Sequence, residues 1–97
     1  MRVEIHQVEG FDLNRRSFNR NAEIIRSGKG YYAAINYEGL EVQGTIFPTI
    51  EGAMRDMISN LQAKGFFKLR SRVNFKGQRY LAEREPWIDY PDLAKVK

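Results

Sequence analysis

The chain of 97 residues has no cysteine and a single histidine, His6. Without cysteine there is neither a disulfide nor a thiolate nucleophile, and the composition fits a reducing compartment. One histidine without cysteine does not provide the ligand set of a structural zinc site. His6 lies on an alternating segment among charged neighbours, which predicts a solvated surface side chain. We therefore expect a non-enzymatic protein with no catalytic residue, no metal and no cofactor.

Long apolar runs are also missing. The first ten residues, MRVEIHQVEG, alternate charged and apolar side chains and do not resemble a signal peptide or a membrane anchor. Together with the lack of cysteine, this predicts a cytoplasmic protein with no membrane contact. The length predicts one domain, 1–97, in which the proline-containing residues 86–97 form an extended tail.

The segment that begins at residue 31 predicts a β-hairpin followed directly by a helix. Glu38 and Gly39 form a two-residue turn, in which Gly39 can take a positive φ. This turn places apolar pairs on one face of the hairpin and mixed pairs on the other, as a half-buried antiparallel sheet requires. The expected apolar pairs are Tyr37 with Leu40, Ile35 with Val42, Ala33 with Gly44, and Tyr31 with Ile46.

The helix after Pro48 has clear start and stop signals. Thr49 is a favourable N-cap, Glu51 suits the positive first turn, and Gly65 is the expected residue just past the end. Apolar residues recur at helical spacing and predict a buried stripe, formed by Ile50, Ala53, Met54, Met57, Ile58 and Leu61. This stripe should pack on the apolar face of the hairpin.

The other segments predict further strands. Arg2–Val8 alternates and should end at Gly10, whereas residues 12–26 fit helix, loop or strand, and we favour a loop followed by a strand near Ala22–Ser27. Residues 66–75 alternate again, with Phe67, Leu69, Val73 and Phe75 expected on one face. The predicted fold class is α+β: an antiparallel sheet of about five to six strands with one main amphipathic helix packed on one face.

Acidic residues are absent between Asp56 and Glu83, and the net charge is +4. Alternation places three cations of that interval on one strand face, at a spacing close to that of phosphates along a nucleic-acid strand. This pattern predicts a non-catalytic domain whose anionic partner is nucleic acid or another acidic molecule. The expected contact residues are Lys68, Arg70, Arg72, Lys76 and Arg79.

The same cations also fit a structural arrangement. If Phe75 faces Tyr80 across the next turn, Arg72 faces Glu83 and Arg70 faces Glu85; a shorter turn shifts both pairings by two residues. Either register forms a cross-strand ladder of ion pairs, which stabilises a sheet without binding anything. The alternative function is then a protein–protein interaction module, either a homodimer or a module for another protein. Its contact would be the exposed edge of the sheet or the tail, with docking residues Trp87, Ile88 and Tyr90.

A hairpin followed by a helix that opens with Thr-x-x-x-Ala, here Thr49 to Ala53, resembles the β-β-α core of HicB-type antitoxin domains. The resemblance covers Tyr31–Leu61, about a third of the chain. It implies a protein that binds a small protein toxin, and it assigns no functional residue.

Overall fold

The computed structural model describes residues 1–76, 79–81 and 85–92. This part of the chain contains one helix and seven strands, and every strand pair in the sheet is antiparallel. The predicted α+β fold class is confirmed. The elements are β1 (Arg2–Phe11), β2 (Ser17–Ser27), β3 (Gly30–Tyr37), β4 (Leu40–Gln43), α1 (Ile50–Ala63), β5 (Phe67–Lys76), β6 (Arg79–Tyr80) and β7 (Ile88–Asp89).

The sheet has the strand order β4-β3-β2-β1-β5-β6, and the short β7 also pairs with β5. We call the face that carries α1 the inner face and the opposite face the outer face. The helix packs mainly against β3 and β4, which places the core at that end of the sheet. The buried cluster between the helix and the inner face includes Val8, Ala22, Ile24, Ala33, Ile35, Val42, Met54, Met57, Ile58, Leu61 and Leu69.

The β3–β4 hairpin confirms the predicted turn and most of its register. Glu38 and Gly39 have φ values of 50° and 83°, as a tight hairpin turn with two positive φ angles requires. Tyr37 pairs with Leu40, and Ile35 pairs with Val42. Leu40 is nevertheless 49% exposed, because it lies at the edge of the sheet near its end.

The predicted pairing of Tyr31 with Ile46 is wrong. Tyr31 forms a bridge with Phe47 instead, and Ile46 is 59% exposed. The reason lies in the helix: the Asp56 carboxylate accepts hydrogen bonds from the backbone N–H of Thr45 at 2.7 Å and from its hydroxyl at 3.2 Å. Thr45 is therefore held by the helix, and the ladder resumes one residue later.

The helix begins and ends as predicted. The Thr49 hydroxyl accepts the Gly52 N–H at 3.0 Å, and Gly65 has a φ of 100° just beyond the C-cap residue, Lys64. The buried side chains of α1 are Ala53, Met54, Met57, Ile58 and Leu61.

Strands β1 and β2 are longer than predicted. Gly10 does not end β1, which continues to Phe11, and β2 begins at Ser17 rather than near Ala22. The turn between them is closed by Asp12, whose carboxylate accepts the N–H groups of Asn14 at 2.8 Å and Arg16 at 2.9 Å. Because polar side chains fill the exposed positions at the start of β2, the sequence there lacks a clear alternation.

Strand β5 corrects the predicted division of its side chains. Its register with β1 shifts twice, between Glu9 and Phe11 and between Ile5 and His6. The first shift coincides with Lys68, whose φ is 53°, so Lys68 does not continue the row of Arg70 and Arg72. At the second shift Phe75 faces Ile5 and Val73 faces His6, which puts these two β5 residues on opposite faces. The predicted alternation holds from Leu69 to Val73.

Candidate functional site

The two central arginines and the tryptophan of the tail form one cluster on the outer face. The guanidinium carbons of Arg70 and Arg72 lie 4.4 Å and 4.2 Å from the centre of the Trp87 ring. Arg70 also forms an ion pair with Glu9 of β1, and Arg72 Nε donates to Gln7 Oε1 at 2.9 Å. Two groups of residues that the sequence assigns to different partners therefore meet in this cluster.

The register predicted with the longer turn is correct at Phe75, but the predicted pairing of Arg70 with Glu85 is wrong. Phe75 pairs with Tyr80, whereas Arg70 lies opposite Asp89 of β7 rather than opposite Glu85. The partners of Arg70 and Arg72 described above, Glu9 and Gln7, come from β1, which is the neighbour of β5 on the side away from β6. The predicted pairing with Glu83 lies outside the described residues.

The other three predicted contact residues do not belong to this cluster, although Lys68 lines a small cleft together with Arg70. Lys68 is exposed, and its backbone N–H donates to Asp92 Oδ1 at 2.7 Å. Lys76 pairs in register with Glu4 and lines a cavity beside the helix. Arg79 is exposed on β6, opposite Lys76. The structure thus brings together Arg70 and Arg72 but not the whole predicted set.

A cleft next to Lys68 contains an aromatic platform that the sequence did not indicate. The rings of Phe11 and Phe67 are stacked, with centroids 5.4 Å apart and planes inclined by 18°. This Phe11–Phe67 cleft has a volume of about 590 Å³ and is lined by Phe11, Arg15, Gln62, Gly65, Phe66, Phe67, Lys68 and Asp92. A smaller cleft shares Phe11 and Lys68 with it and extends to Arg70. The sequence does not predict this pair, because Phe11 and Phe67 come from strands that are far apart in the sequence.

The described part of the tail, residues 86–92, packs against the sheet. The Tyr90 N–H donates to the Leu69 carbonyl at 3.0 Å, and the Tyr90 and Ser71 hydroxyls lie 2.8 Å apart. Burial is the main cause that raises the pKa of Tyr90 above its usual value. Trp87 and Tyr90 therefore contact their own domain, whereas Ile88 is 54% exposed.

His6 is not a solvated surface residue, and that prediction is wrong. Its side chain is 9% exposed, and its Nε2 lies 2.7 Å from Glu4 Oε1. The alternation of β1 was predicted correctly, but the face that carries Glu4 and His6 was predicted to be exposed and is the buried one. His6 and Glu4 of β1 pair with Ala22 and Ile24 of β2, which are fully buried under the helix. The side chains of His6 and Glu4 therefore face the helix as well.

Over the residues that the structure describes, no group of three or more acidic or histidine side chains is placed to hold a metal ion. The helix in the same residues is not long and apolar enough to cross a membrane. No protein-family model matches the chain, and no curated protein or solved structure matches it either. The resemblance to HicB-type domains therefore stays a prediction.

Proposed function

We propose that the protein is a non-catalytic binding domain that contacts single-stranded nucleic acid at the Phe11–Phe67 cleft and the neighbouring cations. The observation that carries this proposal is the stacked aromatic pair beside Lys68, with Arg15 in the same cleft and Arg70 in the adjoining one. The absence of cysteine supports a cytoplasmic location for this activity.

Single strands suit this surface better than a duplex. Proteins bind them by stacking exposed bases on aromatic rings while cationic side chains follow the backbone. Here the cations do not form the straight row that the sequence predicted, because the positive φ of Lys68 interrupts it. A flexible strand adapts to an uneven set of cations, and only an unpaired base can reach an aromatic ring.

Arg72 has a supporting part in this proposal. Its Nε is occupied by Gln7, and its face lies against Trp87. The stacking fixes the orientation of the guanidinium, whose remaining N–H groups suit phosphate oxygens. Lys76 and Arg79, on the far side of the cluster, would contact only a strand that continues beyond Arg72.

Fluorescence anisotropy with labelled single-stranded and duplex oligonucleotides at about 50 and 200 mM salt tests the proposal. We expect the single strand to bind more tightly than the duplex. Phe67→Leu should weaken binding of the single strand about 5- to 150-fold, the range for losing one stacked base. Lys68→Gln should reduce the salt slope by about 0.7, the value for one phosphate contact of a single strand. Lys29→Gln, in the β2–β3 turn, is the matched control and should change neither the affinity for the single strand nor the salt slope.

Two results would overturn the proposal. One is the absence of binding at about 50 mM salt, where phosphate contacts are strongest. The other is binding that Phe67→Leu leaves unchanged, since the aromatic pair would then have no part in it.

A second candidate function is supported by a different observation. Glu9 neutralises part of the Arg70 charge, while the edge strand β4 and the segment after it expose Leu40 and Ile46. An edge strand with exposed apolar side chains favours a protein partner: a second copy of the chain or, as the HicB resemblance implies, a small toxin. Light scattering at increasing protein concentration, with Leu40→Lys as the comparison, tests for the second copy.

A further inference from the structure

A cavity of about 430 Å³ lies between the first turns of α1 and the inner face of β1 and β5. It exists because the helix packs mainly on β3 and β4 and leaves this part of the sheet incompletely covered. Its volume is within the range of small-molecule sites. The lining residues are Glu4, His6, Ile50, Glu51, Met54, Arg55, Ser71, Val73, Lys76, Glu85, Ile88 and Tyr90.

The wall of this cavity contains two buried polar pairs at positions where a sheet packed on a helix normally carries apolar side chains. Glu4 and His6 form one hydrogen-bonded pair at 2.7 Å, with side chains 10% and 9% exposed. Ser71 is fully buried and forms a second pair with Tyr90 at 2.8 Å. Burying a carboxylate and an imidazole costs free energy that apolar side chains of similar volume would not cost. Stability of the fold therefore does not explain why they are there.

The buried polar side chains of this cavity, Glu4, His6, Ser71 and Tyr90, offer more hydrogen-bond acceptors than donors. Nε2 of His6 and Oε1 of Glu4 are used in their own pair, which leaves Glu4 Oε2 and, in the neutral imidazole, Nδ1 as acceptors. Among the described residues, no buried side-chain polar atom lacks a hydrogen-bond partner. The Ser71 and Tyr90 pair adds further oxygen lone pairs and a single spare proton. A ligand that complements this set must donate several hydrogen bonds.

We propose that the cavity binds a small organic cation with a primary ammonium group and an apolar body. An ammonium group supplies three donors and a positive charge for Glu4. Among the described lining residues, the three carboxylates of Glu4, Glu51 and Glu85 outnumber the two cationic side chains, Arg55 and Lys76, which favours the same sign. Ile50, Met54 and Val73 provide the apolar wall against which the body of the ligand packs.

This site is separate from the proposed nucleic-acid surface. It lies on the inner face and shares no lining residue with the Phe11–Phe67 cleft. Lys76 is the one described residue assigned to both sites, so the variants at Phe67 and Glu4, which belong to one site each, test the two proposals independently.

Titration of the full chain with 2-phenylethylammonium tests the inference. Binding is measured by calorimetry and by the changes of amide chemical shifts in NMR spectra. Two probes of the same shape serve for comparison: 3-phenylpropanoate carries the opposite charge, and 2-phenylethanol carries none. We expect saturable binding of the ammonium probe, at least tenfold tighter than either comparison, with the largest shifts at His6, Met54 and Ser71.

The variant Glu4→Gln keeps the shape of the side chain and removes its charge, and it should weaken binding at least tenfold. Glu23→Gln is the control, because Glu23 is exposed on the outer face, opposite Ile5 of β1. Equal binding by Glu4→Gln and the parent protein would overturn the inference. So would shifts located elsewhere, tighter binding of the anion, or no saturation at millimolar probe. The shift pattern of the parent protein decides the matter even if Glu4→Gln does not fold.

Discussion

At the scale of the single residue, Asp12 shows how a buried carboxylate defines a turn that the sequence pattern does not reveal. It is 1% exposed at the junction of β1 and β2. Besides the two backbone N–H groups of the turn, it accepts the Tyr37 hydroxyl at 2.7 Å and Arg16 Nε at 3.1 Å. The hydrogen bond from Tyr37 is the largest cause that lowers the pKa of Asp12 to about 2, from 3.8.

This lowered pKa predicts a pH-dependent contribution to stability. The folded-state pKa lies below the unfolded value, so the contribution is fully present above about pH 4 and is lost as the pH falls towards 2. Asp12→Asn should therefore lower the urea midpoint at pH 7, and the gap to the parent protein should close between about pH 4 and 2. Glu38→Gln is the control, because Glu38 meets Arg16 at the surface and should shift the midpoint only slightly. A gap that is constant over this pH range would contradict the assignment.

At the scale of the element, the docking of α1 on the hairpin is the main source of packing energy at the β3–β4 end of the sheet. Leu61 and Met57 are 0% exposed and belong to the same buried cluster as Ile35 and Val42. The N-cap and the C′ glycine fix where the helix begins and ends, and the hairpin register fixes what it packs against. Local signals and tertiary packing therefore agree in this part of the chain.

Leu61→Ala should lower the free energy of unfolding by about 2–5 kcal/mol, the usual cost of truncating a fully buried leucine. Chemical denaturation measures this value. Leu40→Ala removes the same atoms from a half-exposed edge position and should cost about 0.5 kcal/mol or less. A similar loss for both variants would mean that Leu61 is not part of a packed interface.

The same scale shows what the sequence was able to predict. The hairpin and α1 were predictable because every signal they need is local: Gly39 for the turn, Thr49 for the cap, and the apolar stripe for the buried face. The full length of β2 was not predictable, because its first residues form a strand only through their pairing with β1 and through the turn that Asp12 stabilises. The burial of His6 was also missed, since alternation in β1 defines two faces without telling which one the helix covers.

At the scale of the whole molecule, the two faces of the sheet separate two kinds of surface. The outer face carries the cluster of Trp87 with Arg70 and Arg72, and the inner face carries the core and the cavity around Glu4 and His6. The sequence identified Arg70, Arg72 and Trp87 individually, because charge runs and aromatic residues are visible one at a time. It did not bring them together, since their contact depends on β7 pairing with β5. The Phe11–Phe67 pair was missed for the same reason.

The change of Lys68, Arg70 and Arg72 to alanine tests how binding and folding share these residues. It removes three of the positive charges that give the chain its net charge of +4, leaving +1. For a single strand that contacts all three, the salt slope should fall by about two units. Because Arg70 and Arg72 also contact Glu9, Gln7 and Trp87, we expect a measurable loss of stability as well.

Trp87, the only tryptophan of the chain, reports the structural part of this effect. Its fluorescence should change, and it should become more accessible to acrylamide when the two guanidinium groups that lie against it are removed. Lys68→Ala alone should leave the Trp87 signal unchanged while still reducing the salt slope. If the triple variant loses stability and changes the Trp87 signal while binding stays the same, the arginines act only in holding the tail on the sheet. The nucleic-acid contact would then be restricted to the cleft around Phe11 and Phe67.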